Sequence, residues 1–564
     1  MDASKNFDNT KNMLIVGDNL DALKLLQESY LGKIKMIYID PPYNTGHDFV
    51  YHDNFTVKKS DYEDNTTDSE GNKIISEDEF TENSKSNGRF HSDWLSMMYP
   101  RLKLARNVLA DDGIIFISID DNEQPNLKKM CDEIFGEDNF VSQMVVVTNI
   151  AGRSDSKHVA KTHEYLIAYQ KTSEFVSSGL PLSDDKIQEY KFEDNSGKYR
   201  LQGLRKRGTN SKREDRPNLY YPVYYKPETK QLSLTNKGGI MITPKLADGS
   251  DGNWRWGKDT FEAKKEFLEV KIVSGRNEYD IFEKVYLEGQ DGIKTAKMKS
   301  FLLNSDYTSD SATSDYRELM SAKSFDSPKP IHLIADLARV SNTKNSIILD
   351  FFAGSGTTGH AVMDLNAEDG GNRKYILVQL DEPTDDKSEA KKAGYDTIDQ
   401  ITAERLRRAG DKIIKEHPDL EGKLDTGFRV FHIDSANERE DVRKSVYDTK
   451  QEDMFDSIDN IKHDRTPLDL LFGTIIYMAL PLDLELEVRM INNNTVYFYG
   501  YKDEGMGMIA CFDDNISDDT VKEIAKLKPL TAVFKDSSFK DSAAKINLSE
   551  IFRTISNETR VKVI

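Results

Sequence analysis

IKMIYIDPPYNTG, residues 34–46, reads as an apolar strand that stops on an acidic, proline-locked loop. Residues 34–39 suit a strand buried on both faces. Asp40-Pro41-Pro42-Tyr43 cannot continue it, because each proline lacks a ladder donor and fixes φ. Upstream, NMLIV predicts a strand and DNLDALKLLQESYLG a helix with apolar positions three and four apart. Downstream, WLSMMYPRLKLARNVLADDG predicts a helix closed by Gly113, followed by the strand IIFISID and the helix NLKKMCDEIFG. VSQMVVVT and HEYLIAY are read as strands at the far edge of the same sheet. The alternation returns in IHLIADLARVS, SIILDFF, a glycine loop, TTGHAVMDLNA, KYILVQL and ITAERLRRAGDKIIKE. The expected fold is therefore α/β, with one mixed, mostly parallel sheet encoded in two pieces, residues 1–171 and 323–426. Chemistry is expected where its strands end at their carboxyl termini.

Between the two pieces, residues 172–322 lose the alternation and carry short strands, aromatics and turn residues, as in RPNLYYPVYYKPETKQLSL, which predicts a separate domain. Residues 427–564 predict a C-terminal α+β domain without evident catalytic groups. Residues 55–92 are polar and acidic and read as a long insertion after the proline loop. A chain of 564 residues exceeds what one core supports. No apolar run reaches the roughly 18 residues of a membrane span, and the opening MDASKNFDNTKN does not resemble a secretory signal, so a cytoplasmic protein is expected. Two cysteines rule out a disulfide framework or a Cys-rich zinc site. His91, His158, His163 and His360 show no ligand spacing, and no metal is expected.

Asp40-Pro41-Pro42-Tyr43 at a strand end suits methylation of an aromatic amine. The lone pair of such an amine is delocalised into its ring, so a site must hold both amino hydrogens and favour a pyramidal nitrogen. The Asp40 carboxylate can accept one hydrogen bond and the Pro41 carbonyl the other, with Pro42 helping to fix that carbonyl. Tyr43 can stack on a base swung out of a duplex. Asp350-Phe351-Phe352-Ala353-Gly354-Ser355-Gly356-Thr357-Thr358 forms the second motif. Gly354 and Gly356 let backbone turn tightly and approach a ligand, but neither a P-loop nor the GxGxxG spacing is present. Such a loop suits the methyl donor S-adenosylmethionine, with Gln379, Asp381 or Glu382 after KYILV available for the ribose hydroxyls.

On these residues the chain resembles the Mod subunits of type III restriction-modification systems, which are β-class amino-methyltransferases. DPPYNTG precedes DFFAGSGTT with a long region between them, the permuted order of that class. GDNL at 17–20, WLSMMYPRL, FDSPKP at 325–330 and RLRRAG at 405–410 strengthen the likeness. The resemblance implies a circularly permuted, Rossmann-like methyltransferase sheet with an inserted target-recognition domain. It implies adenine N6 as acceptor, since DPPY rather than SPPY is present, and a site in which Phe325 and Lys329 help hold the cofactor's methionine end. It also implies a homodimer, a Res subunit carrying ATPase and nuclease activity, and duplex DNA as substrate. Phe351 stands where the family has proline.

The net charge of −20 argues against a nucleic-acid partner on average, but a local basic stripe is enough. Arg205, Lys206, Arg207, Lys212, Arg213 and Arg216 supply one, interleaved with aromatics, and are expected to contact DNA. Arg153, Lys157 and Lys161 form a weaker phosphate-contact group. Trp254, Arg255 and Trp256 fit a reading element or a domain core equally well. Asp120 and Asp121 fit either the pocket or a helix cap. Two competing classes remain at this level: a solitary methyltransferase without a restriction partner, and a non-catalytic DNA-binding specificity subunit, which predicts decayed motifs where both are intact.

Overall fold

The computed structural model describes residues 3–46, 49–51, 80–83, 85, 88–152, 158–273, 277–289, 292–438, 461–540 and 542–564. Most of the acidic insertion 55–92, together with Arg153 and Lys157, lies outside these. The chain divides into two compact units, residues 1–178 with 299–564, and Gly179–Met298.

The larger unit is built on a nine-stranded sheet. In chain order its strands are β1 (Met13–Val16), β2 (Ile34–Ile39), β3 (Leu109–Ile119), β4 (Phe140–Val147), β5 (His163–Gln170), β6 (Phe301–Leu302), β7 (Ile347–Asp350), β8 (Lys374–Gln379) and β9 (Arg429–His432). They lie in the order β6-β4-β5-β3-β2-β7-β8-β1-β9. Only β5 runs antiparallel to its neighbours. The two pieces of sequence meet where β2 pairs in parallel with β7, so the loops after Ile39 and after Asp350 leave the same edge side by side. That juxtaposition creates the site.

The strands are buried because helices cover them. Of helices α1 (Asn19–Tyr30), α2 (Phe90–Val108), α3 (Gln124–Phe135), α4 (Ser309–Met320), α5 (Ile331–Val340), α6 (Thr357–Asp369) and α7 (Ile398–Glu416), all but α4 correspond to the periodic segments of the sequence. Gly113 does not close a helix, contrary to expectation: α2 ends at Val108 and Gly113 lies inside β3, where the pairing with β2 shifts register. A Cβ there would stand 2.8 Å from the Ala110 carbonyl and 3.0 Å from that of Ile34, so the irregular crossing needs glycine.

Two boundaries also differ from the expectation. The middle unit is narrower than 172–322, because β6 and α4 belong to the larger unit. The segment 427–564 is not separate from the catalytic sheet. Its β9 pairs with β1, and Leu471, Phe472, Ile475 and Tyr499 share one core with Ile15, Trp94 and Phe351. Buried Arg429 donates to the carbonyls of Phe7, Asp8, Leu482 and Leu484, tying segments at both ends of the chain together. Beyond it, the helix Pro467–Tyr477 precedes a five-stranded sheet running from Leu486–Ile491 to Arg560–Val563. No described helix is long and apolar enough to cross a membrane.

The unit Gly179–Met298 holds a four-stranded and a three-stranded antiparallel sheet around Trp254, Tyr221, Val223, Phe261 and Ile281.

Candidate active site

Strand β2 delivers Asp40 to the sheet edge, and the following loop is pinned from several sides. Trp94 of α2, fully buried, donates its indole N–H to the Pro42 carbonyl at 2.7 Å. Asn44 takes a left-handed φ of +57° and donates to the buried Glu123 carboxylate at 2.6 Å. With the two prolines these bonds leave the tetrapeptide little freedom.

Around Asp40 stands a half-buried charge cluster drawn from three distant segments. Lys329 Nζ donates to the Tyr43 hydroxyl at 2.6 Å and to Glu164 Oε2 at 2.9 Å. The Tyr43 hydroxyl donates to the same Glu164 oxygen at 2.9 Å. Lys329 Nζ also lies 3.1 Å from Asp40 Oδ1, yet that buried oxygen takes no aligned hydrogen bond. Burial and the Glu164 charge raise the Asp40 pKa against the opposing pull of Lys329. Burial works against the charge on Glu164 too, but Lys329 and Tyr43 outweigh it and hold that carboxyl below its usual range. Lys329 thus gives its aligned hydrogen bonds to Tyr43 and Glu164 and meets Asp40 as a charge, leaving a buried acceptor oxygen on Asp40 for an incoming donor.

The second loop follows β7. Asp350 does not face outward: its carboxylate accepts the Phe352 N–H at 3.1 Å and the Thr358 hydroxyl at 2.5 Å, and burial pushes its pKa up to about 7. Gly354 and Gly356 adopt φ of +52° and +80°. A Cβ on Gly354 would stand 3.2 Å from Phe325 Cζ, so Phe325 covers this loop. The Gly354 N–H donates to Gln379 Oε1 at 2.7 Å, and Thr402 Oγ1 donates to the Gly354 carbonyl at 2.5 Å. Arg405 of α7, buried, donates to Ser355 Oγ and Thr357 Oγ1 at 2.6 Å each.

Asp350, Ser355, Thr357 and Gln379 therefore shape the loop with their side chains. A narrow pocket beside it is lined by Gly17, Asp18, Asn19, Phe351, Phe352, Val378, Gln379 and Leu380, where β1, β7 and β8 end together. Ala353 is buried in the same loop. Glu382, just beyond, has its pKa raised by burial alone, with no cation set against it among the described residues. Positive-φ glycines, a pocket at three strand ends and a half-buried carboxyl with no cation set against it among the described residues fit an adenosine-bearing cofactor.

FDSPKP divides its residues between the two loops, Phe325 standing over the glycines and Lys329 on the tetrapeptide. Trp94, Asn44 and Arg405 lie in the stretches WLSMMYPRL, DPPYNTG and RLRRAG that carry the family likeness, but their individual roles are not legible there, and Glu164 lies in no such stretch. GDNL offers a signal for Asp18 and Asn19, a strand end followed by a helix cap, and Asn19 indeed donates to the Phe351 carbonyl at 2.8 Å. Nothing local marks Glu164.

In the smaller unit, a cleft of about 700 Å³ is lined by Arg200, Arg205, Lys206, Arg207, Arg216 and Arg255, with Leu219 and Phe282 among its apolar walls. Four of the six expected DNA-contacting residues meet there; Lys212 and Arg213 do not line it. Arg205 pairs with buried Asp280 at 3.1 Å and Arg213 with Asp251 at 3.0 Å. Among the described residues, no ion pair takes Lys206, Arg207 or Arg216. Trp254 is core, Arg255 lines the cleft and Trp256 packs against the core. Lys161, expected at phosphate, pairs with Asp120 at 2.9 Å and Asp121 at 3.3 Å, so neither acid caps a helix.

Both loops, their spacing and the sheet that joins them define a class. Residues 34–389 match a family of DNA methylases, and the chain belongs to that family. It is 36% identical to the type III restriction-modification enzyme EcoPI Mod subunit of Escherichia phage P1 over 75% of this chain and 65% of that protein, and so spans less than two thirds of that relative. It is 36% identical to the type II methyltransferase M.KpnI of Klebsiella pneumoniae over 73% of this chain and 91% of that protein. Among solved structures, a putative DNA modification methylase of Thermus thermophilus complexed with S-adenosyl-L-methionine aligns over 75% of this chain and all of its own, at 9% identity and a TM-score of 0.31.

Proposed function

We propose that this chain is a site-specific DNA methyltransferase that transfers a methyl group from S-adenosylmethionine to adenine N6, as the modification subunit of a type III restriction system. The observation carrying this reading is the buried, hydrogen-bond-free Asp40 Oδ1 at a proline-locked strand end, beside a glycine loop on the adjacent strand. When bound, the cofactor supplies an electrophilic methyl on a sulfonium. Phe352, the Gly354 to Gly356 turn, Phe325, Asn19 and Glu382 would hold it. This chain's residues then present the amine. Asp40 and the Pro41 carbonyl accept its two hydrogens, Tyr43 stacks on the flipped base, and the nitrogen lone pair is left aimed at the cofactor pocket. Lys206, Arg207 and Arg216 offer uncompensated charge for phosphate contacts in duplex DNA.

Likeness to Mod subunits supports a homodimer acting with a Res partner, in the cytoplasm. The equal likeness to a type II methyltransferase favours a second reading, an enzyme that modifies DNA without such a partner, and a helicase-nuclease gene beside this one discriminates them. For the activity itself, the protein is expressed in a methylation-free host and N6-methyladenine is mapped by single-molecule sequencing. One short motif should be modified, and the modification should vanish in Asp40→Ala. An unmodified genome overturns the proposal, and N4-methylcytosine overturns the choice of acceptor.

A further inference from the structure

The active-site charge cluster contains more than a methyl-transfer tetrapeptide needs. Two carboxylates, Asp40 and Glu164, share one ammonium, Lys329, in a half-buried place. Both directed bonds of that ammonium go away from Asp40, to Tyr43 at 2.6 Å and Glu164 at 2.9 Å. Lysine has three donors and a mobile stem. Were Glu164 neutral, the nearest remaining charge for it would be Asp40, already 3.1 Å away. An aligned hydrogen bond added to that ion pair would occupy the oxygen that has to accept the amine.

We propose that Glu164 is a positioning residue for methyl transfer: it holds the Lys329 ammonium and the Tyr43 hydroxyl, and thereby keeps Asp40 Oδ1 open to the substrate amine. The inference rests on the methyltransferase reading given above. Glu164 sits at the start of β5, the one strand antiparallel to its neighbours, so it reaches the tetrapeptide from across β3. Its grip on the hydroxyl also sets the plane of the Tyr43 ring, over which Lys329 lies 4.8 Å from the centroid. Glu164 touches neither reacting atom.

Titration separates this role from a merely structural one. The charges acting on Asp40 are Lys329 and Glu164, with the Tyr43 hydroxyl beside them, while Asp40 itself acts on Tyr38 and Asp350. Activity requires Asp40 ionised, so it falls as pH drops through the Asp40 pKa. Removing the Glu164 charge removes a raising influence, and a closer Lys329 lowers that pKa further. Both effects move the acid limb of kcat to lower pH.

The test uses full-length wild type, Glu164→Gln and Glu164→Asp, with labelled S-adenosylmethionine and plasmid DNA from a methylation-free host. Calorimetric titration of S-adenosylmethionine into each protein checks that the fold is kept. Glu164→Gln should bind the cofactor within twofold of wild type, lose at least tenfold in kcat, and show its acid limb displaced to lower pH. Glu164→Asp, which keeps the charge, should recover part of the rate with the limb near its wild-type position. A Glu164→Gln rate within twofold of wild type overturns the proposal. So does a slow or cofactor-blind Glu164→Gln enzyme whose acid limb has not moved. A wild type that methylates no adenine fails the functional reading instead, and the control reports that first.

Discussion

Three glycines sharing a left-handed backbone allow the cofactor role of the DFFAGSGTT loop to be separated from its conformation. Gly354, Gly356 and Gly370 have φ of +52°, +80° and +66°. Alanine at such an angle costs about 1 to 2 kcal/mol, offset by roughly 0.4 to 1 kcal/mol from a stiffer unfolded chain. Gly370 ends α6 and has open space, with nothing within 4 Å of a Cβ. Gly370→Ala should therefore lose only about 1 kcal/mol. At Gly356 a Cβ would meet Thr402 Cγ2 at 3.0 Å, tighter than a relaxed contact of about 3.5 to 4.0 Å. Thr402 cannot yield freely, because its hydroxyl holds the Gly354 carbonyl at 2.5 Å. Overpacking of this kind adds about 1 to 3 kcal/mol, for a total of about 2 to 4 kcal/mol in Gly356→Ala. Gly354→Ala meets Phe325 Cζ at 3.2 Å and should fall between the two.

The assay pairs urea unfolding with calorimetric titration of S-adenosylmethionine. Each 1.4 kcal/mol of lost binding is about tenfold in Kd. Gly354→Ala and Gly356→Ala should both weaken the cofactor at least tenfold, while Gly370→Ala binds as wild type. If all three lose stability as expected and all three bind the cofactor equally well, the loop is a structural turn and the pocket assignment is wrong.

Trp94→Phe keeps an aromatic ring but leaves the Pro42 carbonyl without its indole donor. It should cost about 1 to 3 kcal/mol in urea unfolding and reduce kcat more than cofactor affinity; an unchanged kcat would show that the tetrapeptide does not depend on this bond. Asp350 is protonated in the fold up to about pH 7 because burial raises its pKa. Its contribution to stability is complete below the unfolded carboxyl pKa of about 4 and is lost as pH rises through about 7. The neutral Asp350→Asn protein should accordingly gain on wild type between about pH 5 and pH 8, by up to about 4 kcal/mol, and a pH-independent gap in urea midpoints refutes this. Replacing Lys206, Arg207 or Arg216 with alanine should lower the salt slope of duplex binding by about 1 each and leave S-adenosylmethionine binding unchanged; gel shifts across a salt series decide it.

Much of the fold is legible because most strands and helices of the catalytic sheet carry their own period, the two-residue β6, helix α4 and β9 being the exceptions. Six residues of β2 are buried throughout and read as such, and the helices from Asn19 to Glu416, α4 apart, show spacings that locate them within a few residues. Gly113 misleads because a glycine after a helix usually closes it, whereas here the helix has already ended and the glycine serves a crowded strand crossing. The boundary at 427 misleads for a related reason. Strand β9 is four residues long, and what joins it to the sheet is pairing with β1 and the reach of Arg429 to carbonyls at Phe7 and Leu482, none of which has a periodic signature.

The active site is half legible on the same grounds. Asp40 to Tyr43 and the glycine loop are contiguous stretches whose proposed chemistry follows from residue type and order. The charge cluster is not contiguous: Tyr43, Glu164 and Lys329 are separated by 121 and 165 positions, and only the sheet brings them within 3 Å. Its logic is nevertheless physical rather than accidental. A carboxylate that must accept a hydrogen bond from a weakly basic amine has to be ionised in a dry place, which calls for a nearby cation. The cation must not take the acceptor itself, which calls for a second anion to hold it. Asp40, Lys329 and Glu164 meet those demands in turn, so a site of this chemistry that retained the first two and replaced the third with a neutral residue should be slow with its cofactor fully bound.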